Sequence, residues 1–291
     1  MFTYDMPLFR PPSEAENLIL QATLGCSFNG CTFCSMYASK AFTVRPLDAL
    51  FAEIDAAAKE WPDARRIFLA DGDALTLPTG HLLAILAKLA ATFPQLNRVS
   101  AYATPTNLLK KGPAELAELR AAKLSLVYLG IESGDAEVLR RIAKGATPAG
   151  IAEGIDKARA AGMKVSATVI LGLGGRELWR QHAAGTAALI NAAPPNFLST
   201  LQLGLRPDAE PRFRARFGVF TPQDDDGCLE ELAAMVAAMN PPRPVIFRSN
   251  HASNALALAG TLPRDRDALL AAIDGARTGR RAVRPRWLRG F

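Results

Sequence analysis

The chain has 291 residues, of which 49% are hydrophobic and 21% are charged, so it can form a sizeable core, and wholesale disorder is excluded. The formal net charge is +6, but six arginines and no acidic residue lie in the last fifteen positions. The rest of the chain is therefore neutral, and a basic nucleic-acid surface is not expected on its body. No apolar run could span a bilayer, and the N-terminus lacks the features of a signal peptide. We expect a cytoplasmic protein with no membrane partner.

Strand-like apolar runs alternate with helical patterns along the chain. The predicted strands are Asn17–Thr23, Arg66–Ala70, Arg98–Ala103, Leu124–Ile131, Lys164–Leu171, Leu198–Leu203 and Val245–Arg248. Proline at or near the first helical position predicts helix starts at Pro46, Pro113, Pro148 and Pro222. The clearest helical patterns are Leu47–Lys59, Pro148–Ala161 and Arg176–Asn191. This alternation favours repeated right-handed strand-helix-strand units around a parallel sheet.

Six or seven such units are fewer than the eight of a complete barrel. We therefore predict an α/β fold, either a partial parallel (β/α)6-7 barrel or an open doubly wound sheet. The predicted organisation is an N-terminal extension over residues 1–16, the partial barrel over residues 17–275 and a basic C-terminal tail over residues 276–291. Both architectures bind ligands beyond the carboxyl ends of the strands, so functional residues are expected at those ends.

Three of the four cysteines, Cys26, Cys31 and Cys34, fall within nine residues directly after the first predicted strand. Three thiolates spaced C-x4-C-x2-C can bind three corners of a cubane iron–sulfur cluster, and two glycines in the loop allow the tight backbone that this requires. One iron would then remain open to a chelating small molecule. Three alternatives remain open, namely structural cysteines, a zinc site completed by Cys228, and a Cys31–Cys34 redox pair.

This loop, with Phe33 before its third cysteine and Tyr37 soon after it, resembles the cluster-binding loop of the radical S-adenosylmethionine (SAM) superfamily. The commonest spacing in that superfamily is C-x3-C-x2-C, and this chain has one residue more. The resemblance implies a partial barrel of the radical SAM type, a [4Fe–4S] cluster on Cys26, Cys31 and Cys34, and SAM as the second cofactor.

Further strand ends resemble superfamily motifs in the expected order. Asp71-Gly72-Asp73 stands where the superfamily has a Gly-Gly-Glu type motif that faces the methionyl amine, and Gly172 begins a motif that resembles the one contacting adenosine. Basic residues follow the fourth strand at Arg140, Arg141 and Lys144, as in the elongator-type and oxygen-independent coproporphyrinogen oxidase-like branch. The candidate SAM contacts are Phe33, Asp71, Gly72, Asp73, Tyr102, Glu132, Ser133, Lys144, Thr168, Gly172 and Gly174.

The resemblance also implies a mechanism. The open iron binds the amine and carboxylate of SAM, the reduced cluster donates one electron, and the carbon–sulfur bond breaks to give methionine and a 5′-deoxyadenosyl radical. That radical abstracts hydrogen from the substrate, while the protein orients the cofactors and excludes water. An external one-electron reductant of the flavodoxin or ferredoxin type is therefore an expected partner.

The substrate is expected to meet the polar residues that follow the last predicted strand. The candidates there are Arg248, Asn250, His251 and Asn254, and the alternative interpretation is a polar turn that caps the next helix. Arg206, Asp208 and Glu210 are weaker candidates. We interpret His182 as a histidine of the helix surface or the core, and Cys228 as a core cysteine, because no further cysteines are present for an auxiliary cluster.

Three functions compete at this point. A small-molecule substrate is preferred, since the chain resembles a minimal, single-cluster radical SAM enzyme. RNA is an alternative substrate, bound by the arginine-rich tail. A non-catalytic iron–sulfur electron-transfer or carrier protein is the third possibility. The tail ends in Trp287, Leu288 and Phe291, which are apolar enough to dock on the body, so its basic charge is only weak support for RNA.

Overall fold

A computed structural model describes residues 4–290 of the chain. The strands are β1 (Leu18–Gln21), β2 (Thr23–Leu24), β3 (Thr43–Val44), β4 (Arg66–Ala70), β5 (Arg98–Ala103), β6 (Leu124–Glu132), β7 (Lys164–Leu171), β8 (Phe197–Gln202), β9 (Val245–Arg248) and β10 (Ala259–Leu262). The helices are α1 (Leu47–Glu60), α2 (Thr79–Thr92), α3 (Pro105–Lys110), α4 (Pro113–Ala121), α5 (Ala136–Arg141), α6 (Pro148–Ala160), α7 (Gly175–Ala192), α8 (Glu210–Phe217), α9 (Asp225–Ala238) and α10 (Arg266–Arg277). The first three residues of the predicted N-terminal extension, and Phe291 of the predicted tail, lie outside the described residues.

Eight of the strands form one mostly parallel sheet in the order β1-β4-β5-β6-β7-β8-β9-β10. Parallel pairing joins β1 to β4, β4 to β5, β5 to β6, β7 to β8 and β8 to β9. β1 and β10 are the two ends of this order, so the sheet does not close. The predicted α/β architecture of a partial parallel barrel is confirmed.

Contacts divide the described residues into two compact units. The first contains the chain up to Asn29 together with Met36–Leu129 and Asp156–Val165. Its core is built from the apolar faces of β1 and β4 and of helices α1 and α2. Leu20, Phe68, Leu69, Ile54 and Phe93 are completely buried in it.

The second unit contains Gly30–Ser35, Gly130–Ile155 and the chain from Ser166 onward. In it, α7 packs on α9 and α9 packs on α10. The completely buried side chains of Phe213, Phe247, Met235 and Val236 form part of its core. The two units share no separate linker, because the chain passes between them within the cysteine loop and within β6, α6 and β7.

The structure differs from the predicted elements at the first strand, at the start of α9 and at β10. The first predicted strand is divided, since β1 ends at Gln21 and the next residues form β2, which pairs antiparallel with β3. The helix predicted to begin at Pro222 begins at Asp225, because the Asp224 side chain accepts a hydrogen bond from the Gly227 amide and caps it. β10 was not predicted: it pairs antiparallel with β9, and its Ala-Gly-Thr-Leu sequence has no strand-like apolar pattern.

The basic tail folds back onto the second unit, but it does so through arginines and not through its apolar residues. The side chain of Arg289 is 1% exposed and makes two bonds of 2.7 and 2.6 Å to the Asp225 carboxylate. Arg284 donates to the backbone oxygens of the loop before β10. Trp287 is 81% exposed and Leu288 is 57% exposed, so the expectation that these two residues would dock is wrong. Within residues 4–290, no helix is long and apolar enough to cross a membrane.

Candidate functional site

The first cysteine, Cys26, lies directly after β2 at a tightly packed turn of the first unit. Gly25 has a φ of +72°, a left-handed conformation that glycine adopts without strain. A Cβ added to Gly72 would lie 2.7 Å from the Cβ of Cys26, so only glycine fits beside this cysteine. The amide of Asn29 points at the Cys26 sulfur at 3.5 Å, a contact that favours the thiolate.

Asp71 and Asp73 hold this turn from the end of β4. Asp71 accepts hydrogen bonds from the Gly25 amide at 3.2 Å and from Lys40 at 2.9 Å, and its side chain is completely buried. Asp73 accepts from both the amide and the hydroxyl of Ser27. Burial raises the pKa of both carboxyl groups, and these hydrogen bonds offset part of that increase. The two aspartates therefore support the backbone on both sides of Cys26.

Tyr102, at the end of β5, belongs to an aromatic group in the first unit. Its ring makes edge contacts with Phe68 at 5.1 Å and with Tyr128 at 6.1 Å. Burial raises the pKa of its hydroxyl, so the phenol stays neutral at physiological pH. The hydroxyl of Tyr128 in turn contacts Ser13 and the buried carboxylate of Glu14, which ties the predicted N-terminal extension to β6. Tyr102 is thus a rigid neutral side chain at a strand end.

The other two cysteines lie in the second unit, on the irregular segment Gly30–Ser35. The Cys34 amide donates to the Cys31 carbonyl at 3.2 Å, and the Thr32 amide donates to the carbonyl of Ile142 at 2.9 Å. Phe33, the aromatic residue between these cysteines, is half-buried. Both cysteines are half-buried and not in a disulfide, so they are partly accessible to a ligand while the backbone around them is held.

A buried ion pair follows β6 in the same unit. The Lys144 ammonium lies 2.9 Å from the Glu132 carboxylate, and both side chains are 10% exposed. Glu132 has a φ of +61°, and Gly130 leaves the space that its carboxylate occupies. Burial alone would lower the pKa of Lys144, but Glu132 and the sulfurs of Cys31 and Cys34 together raise it. The ammonium therefore stays charged beside these two cysteines.

The three basic candidates after β6 differ in their surroundings. Arg140 and Arg141 both pair with Glu137 on the surface of α5, at 2.6 and 2.7 Å. The guanidinium of Arg141 also lies over the ring of Phe217 at 5.4 Å. Lys144 is the one of the three that is buried with Glu132, which makes it the best placed to bind a carboxylate near the cysteines.

A buried hydrogen-bond network connects two groups of the predicted SAM contacts in the second unit. The Ser133 hydroxyl lies 2.7 Å from Nδ1 of His182, whose Nε2 donates to the Ile170 carbonyl at 3.1 Å. Glu231 lies 3.5 Å from the same Nε2 and accepts a 2.8 Å bond from the Gly172 amide. His182 is therefore a core histidine. Glu231 was not predicted as a site residue, because nothing in the sequence distinguishes it from the other acidic residues of α9.

The glycine motif after β7 depends on close packing. Gly172 has a φ of +79°, and a Cβ there would approach the Cys228 sulfur to 3.3 Å. A Cβ on Gly174 would lie 2.9 Å from the backbone of Leu178 in α7. Thr168 lies on the half-buried face of β7, whose other face is buried. Both glycines are buried, and neither position has room for a side chain.

The four cysteines divide into a loop set and a core residue. Cys26, Cys31 and Cys34 are half-buried, whereas Cys228 is buried against Gly172, and burial, with Glu231 next in importance, raises the pKa of its thiol. Within the described residues, no group of three His, Cys, Asp or Glu side chains is placed to hold a single metal ion. Three soft thiolate donors on one glycine-containing loop fit a cubane cluster, in which each thiolate binds a different iron.

The predicted substrate loop after β9 is held by its own polar residues. Asn254 is buried and bridges the Thr200 carbonyl at 2.7 Å, the Ser249 hydroxyl at 3.0 Å and the Gln202 amide at 2.7 Å. His251 is half-buried, and its ring lies 2.8 Å from the Ser253 hydroxyl. Arg248 is exposed and donates to the Phe247 carbonyl, and Asn250 is exposed. Of the four candidates, Arg248, Asn250 and His251 present surface to a ligand.

Solved structures of similar fold include coproporphyrinogen III oxidase (HemN) from Escherichia coli, described as a radical SAM enzyme. It matches with a TM-score of 0.58 at 16% identity over 76% of this chain and 52% of that chain. Methylornithine synthase (PylB) matches with a TM-score of 0.54 at 12% identity over 88% of this chain and 68% of that chain. The FeFe-hydrogenase maturase HydG from Carboxydothermus hydrogenoformans matches with a TM-score of 0.51 at 16% identity, over 88% and 56% respectively.

At these identities the likeness shows the fold, and this chain spans about half the length of the coproporphyrinogen oxidase that it matches. No curated protein matches the sequence. The profile described as the Radical SAM superfamily matches residues 20–183, which include the three-cysteine loop and the strand ends from β4 to β7. Because this match spans more than half of the chain, the protein belongs to the radical SAM superfamily.

Proposed function

We propose that this enzyme holds a [4Fe–4S] cluster on Cys26, Cys31 and Cys34, cleaves SAM reductively, and abstracts hydrogen from a small-molecule substrate. Enzymes of the superfamily carry out SAM-dependent radical chemistry with these two cofactors. The observation that carries the proposal is the buried Lys144 ammonium, which stays charged between the Glu132 carboxylate and the sulfurs of Cys31 and Cys34. A buried cation and carboxylate near cysteine thiols fit a zwitterionic ligand that bridges to a cluster.

Each SAM contact has a role that follows from its chemistry. Lys144 would bind the methionyl carboxylate, and Glu132 would accept hydrogen bonds from an amine or a ribose hydroxyl. Gly172 and Gly174 would let the backbone approach the adenine, and Tyr102 would offer a neutral aromatic surface. Together, the bound cluster and SAM would supply a 5′-deoxyadenosyl radical to the substrate site, with an external flavodoxin- or ferredoxin-like protein as the source of the electron.

A small molecule is the favoured substrate because the arginines of the tail are engaged within the protein. Arg277 pairs with Asp226 at 2.9 Å, Arg280 pairs with Asp274, and Arg289 is buried against Asp225. Half of the six tail arginines therefore pair with aspartates, which reduces the charge available to contact phosphates. The exposed polar residues Arg248, Asn250 and His251 would anchor such a small molecule.

The test is anaerobic reconstitution of the full chain with iron and sulfide, followed by addition of SAM and dithionite. We expect about four irons per chain, iron spectra that change on SAM binding, and release of 5′-deoxyadenosine. Cys34→Ala should lose the cluster, whereas Cys228→Ala, a core change of similar size, should keep its iron. A reconstituted cluster that neither responds to SAM nor cleaves it would refute the enzyme proposal and favour the carrier alternative.

A further inference from the structure

Arg212 reaches from α8 to the backbone of the cysteine loop, across about 180 positions of sequence. Its Nε donates to the carbonyl oxygen of Thr32 at 3.1 Å, and its Nη2 donates to the carbonyl oxygen of Cys34. The guanidinium thus binds two carbonyls, two residues apart, in the segment that carries Cys31 and Cys34. Arg212 belongs to neither the predicted SAM contacts nor the predicted substrate loop, so none of the roles above accounts for it.

The helix that presents Arg212 is fixed by aromatic packing. Phe213 and Phe217 of α8 are buried and stack with their ring centroids 5.1 Å apart. Phe220, after the helix, makes edge contacts with both rings at 4.8 and 4.9 Å. Arg141 adds a hydrogen bond from its guanidinium to the Phe217 carbonyl at 3.1 Å. α8 therefore cannot rotate without losing its core contacts, and the Arg212 side chain is held in place.

The bound segment has little structure of its own. Gly30–Ser35 contains neither helix nor strand, and its backbone is held by the Thr32 amide bond to Ile142 and the Cys34 amide bond to Cys31. Arg212 occupies the carbonyls of the same two residues whose amides make those bonds. The peptide groups before and after Thr32 and Cys34 are thereby each held by a hydrogen bond, and the spacing between the two cysteines is fixed with them.

The charge of Arg212 also matters. A guanidinium remains protonated at any pH at which the protein is folded, and its planar fork can serve two acceptors at once. Since it binds the carbonyl of Cys34 itself, it places a permanent positive charge next to a residue whose thiolate would carry iron. A positive charge in that position stabilises thiolates, and it stabilises the more negative, reduced state of a cluster over the oxidised state.

We propose that Arg212 is a positioning residue that fixes the Cys31–Cys34 segment in its cluster-binding conformation before the cluster arrives, and that raises the reduction potential of the cluster once it is bound. The second half rests on the proposed function. The first half concerns the metal-free protein, so it is measured without cluster or SAM.

The first experiment is amide hydrogen exchange of the metal-free full chain over residues 30–36. We expect Arg212→Ala to speed exchange of the Thr32 and Cys34 amides about tenfold or more, because bonds from a charged donor are lost. Arg212→Lys, which keeps the charge but not the fork, should lie between that variant and the wild type. Arg216→Ala, which removes an exposed arginine from the same helix, is the matched control and should match the wild type.

Exchange in Arg212→Ala that equals the Arg216→Ala control would overturn the positioning half. If Arg212→Ala does not fold, Arg212→Lys decides, and exchange at the wild-type rate in that variant would also overturn it.

The second experiment is an EPR-monitored redox titration of the reconstituted proteins without SAM. We expect a more negative midpoint potential for Arg212→Ala and a near wild-type potential for Arg212→Lys; an unchanged potential in Arg212→Ala would overturn the electrostatic half. Failure of the wild type to bind a cluster would refute the proposed function, while the exchange result would stand.

Discussion

A side chain at the end of a strand can bind a ligand or support a neighbouring turn, and the sequence pattern does not separate these two roles. Asp71 and Asp73 were predicted from their motif as SAM contacts, yet in the structure their carboxylates bind Gly25 and Ser27 and so support Cys26. A sequence motif records which residue follows a strand, but it does not record which group that residue contacts. The proposal that Cys26, Cys31 and Cys34 bind the cluster needs less information, because three cysteines spaced along one loop would themselves be the ligand set.

Gly72 packs directly against the turn that carries Cys26. We expect Gly72→Ala to destabilise the protein by about 1 to 3 kcal/mol and to reduce the iron bound on reconstitution, because the added Cβ would meet Cys26 atoms at 2.7 and 2.9 Å and the Gly25 oxygen at 2.9 Å. Denaturant unfolding and iron analysis measure the two effects. Gly80→Ala, in open space at the start of α2, is the control and should not lose stability. Equal iron in both variants would show that the turn tolerates the change.

Helices α7 and α9 carry His182 and Glu231, which contact Ser133 and Gly172. Burial raises the pKa of Glu231 to about 8 and lowers the pKa of His182 to about 4. Both groups are therefore neutral in the folded protein at pH 7, so the polar contacts between Ser133 and Gly172 involve uncharged side chains. The helical periodicity of α7 predicted the element and its boundaries to within one residue, but partners on α9, about fifty positions away, are set by packing that no local pattern encodes.

The raised pKa of Glu231 makes the unfolding free energy of the protein decrease as the pH rises. Its protonated form stabilises the fold fully below the ordinary carboxyl pKa, and this stabilisation is lost as the pH rises towards about 8. We expect the unfolding free energy of the wild type to fall between pH 6.5 and 8 by up to roughly 1.4 kcal/mol per pH unit from this group. Glu231→Gln, neutral at every pH, should lack this component.

Urea unfolding of the metal-free proteins at several pH values from 5 to 8.5 measures the difference between them. Below pH 6.5 the lowered pKa of His182 acts in the opposite direction, since stability is lost as the pH falls towards about 4. Above the ordinary histidine pKa, His182 is largely neutral in both the folded and the unfolded protein, so the comparison there isolates Glu231. Parallel curves for the wild type and Glu231→Gln would contradict a protonated Glu231 at neutral pH.

For the whole molecule, the sequence predicted where the positive charge lies, but it did not predict which groups the arginines contact. The surplus of positive charge lies in the tail, as composition indicated, and most of the tail's contacts are arginine bonds within the second unit. Seven parallel strands were predicted because apolar runs recur at strand-helix spacing. β10 was not predicted because its short sequence resembles a loop. β2 was not recognised as a separate strand because two residues show no periodicity.

The buried Arg289 is the anchor of the tail, and its guanidinium is the main cause of the lowered pKa of Asp225. We expect Arg289→Ala to cost about 1 to 2 kcal/mol and to raise the rate of trypsin cleavage within residues 277–290 severalfold, because two charged hydrogen bonds to Asp225 are lost. Arg286→Ala, on the exposed 3-10 turn Arg286–Leu288, is the matched control and should unfold as the wild type does. Equal cleavage in the two variants would show that Arg289 does not hold the tail.

β10 has a consequence for how these molecules behave at high concentration. As the last strand in the order, it presents a row of backbone groups that faces no other strand of the described sheet, which is the usual starting point for strand-by-strand association between molecules. Here the strand is four residues long, the Thr261 amide is already bound to the Asp265 carboxylate at 2.8 Å, and Pro263 follows with no amide proton to offer. An incoming strand would therefore find few free donors, so the last turn of the chain before α10 protects the sheet against edge-to-edge aggregation.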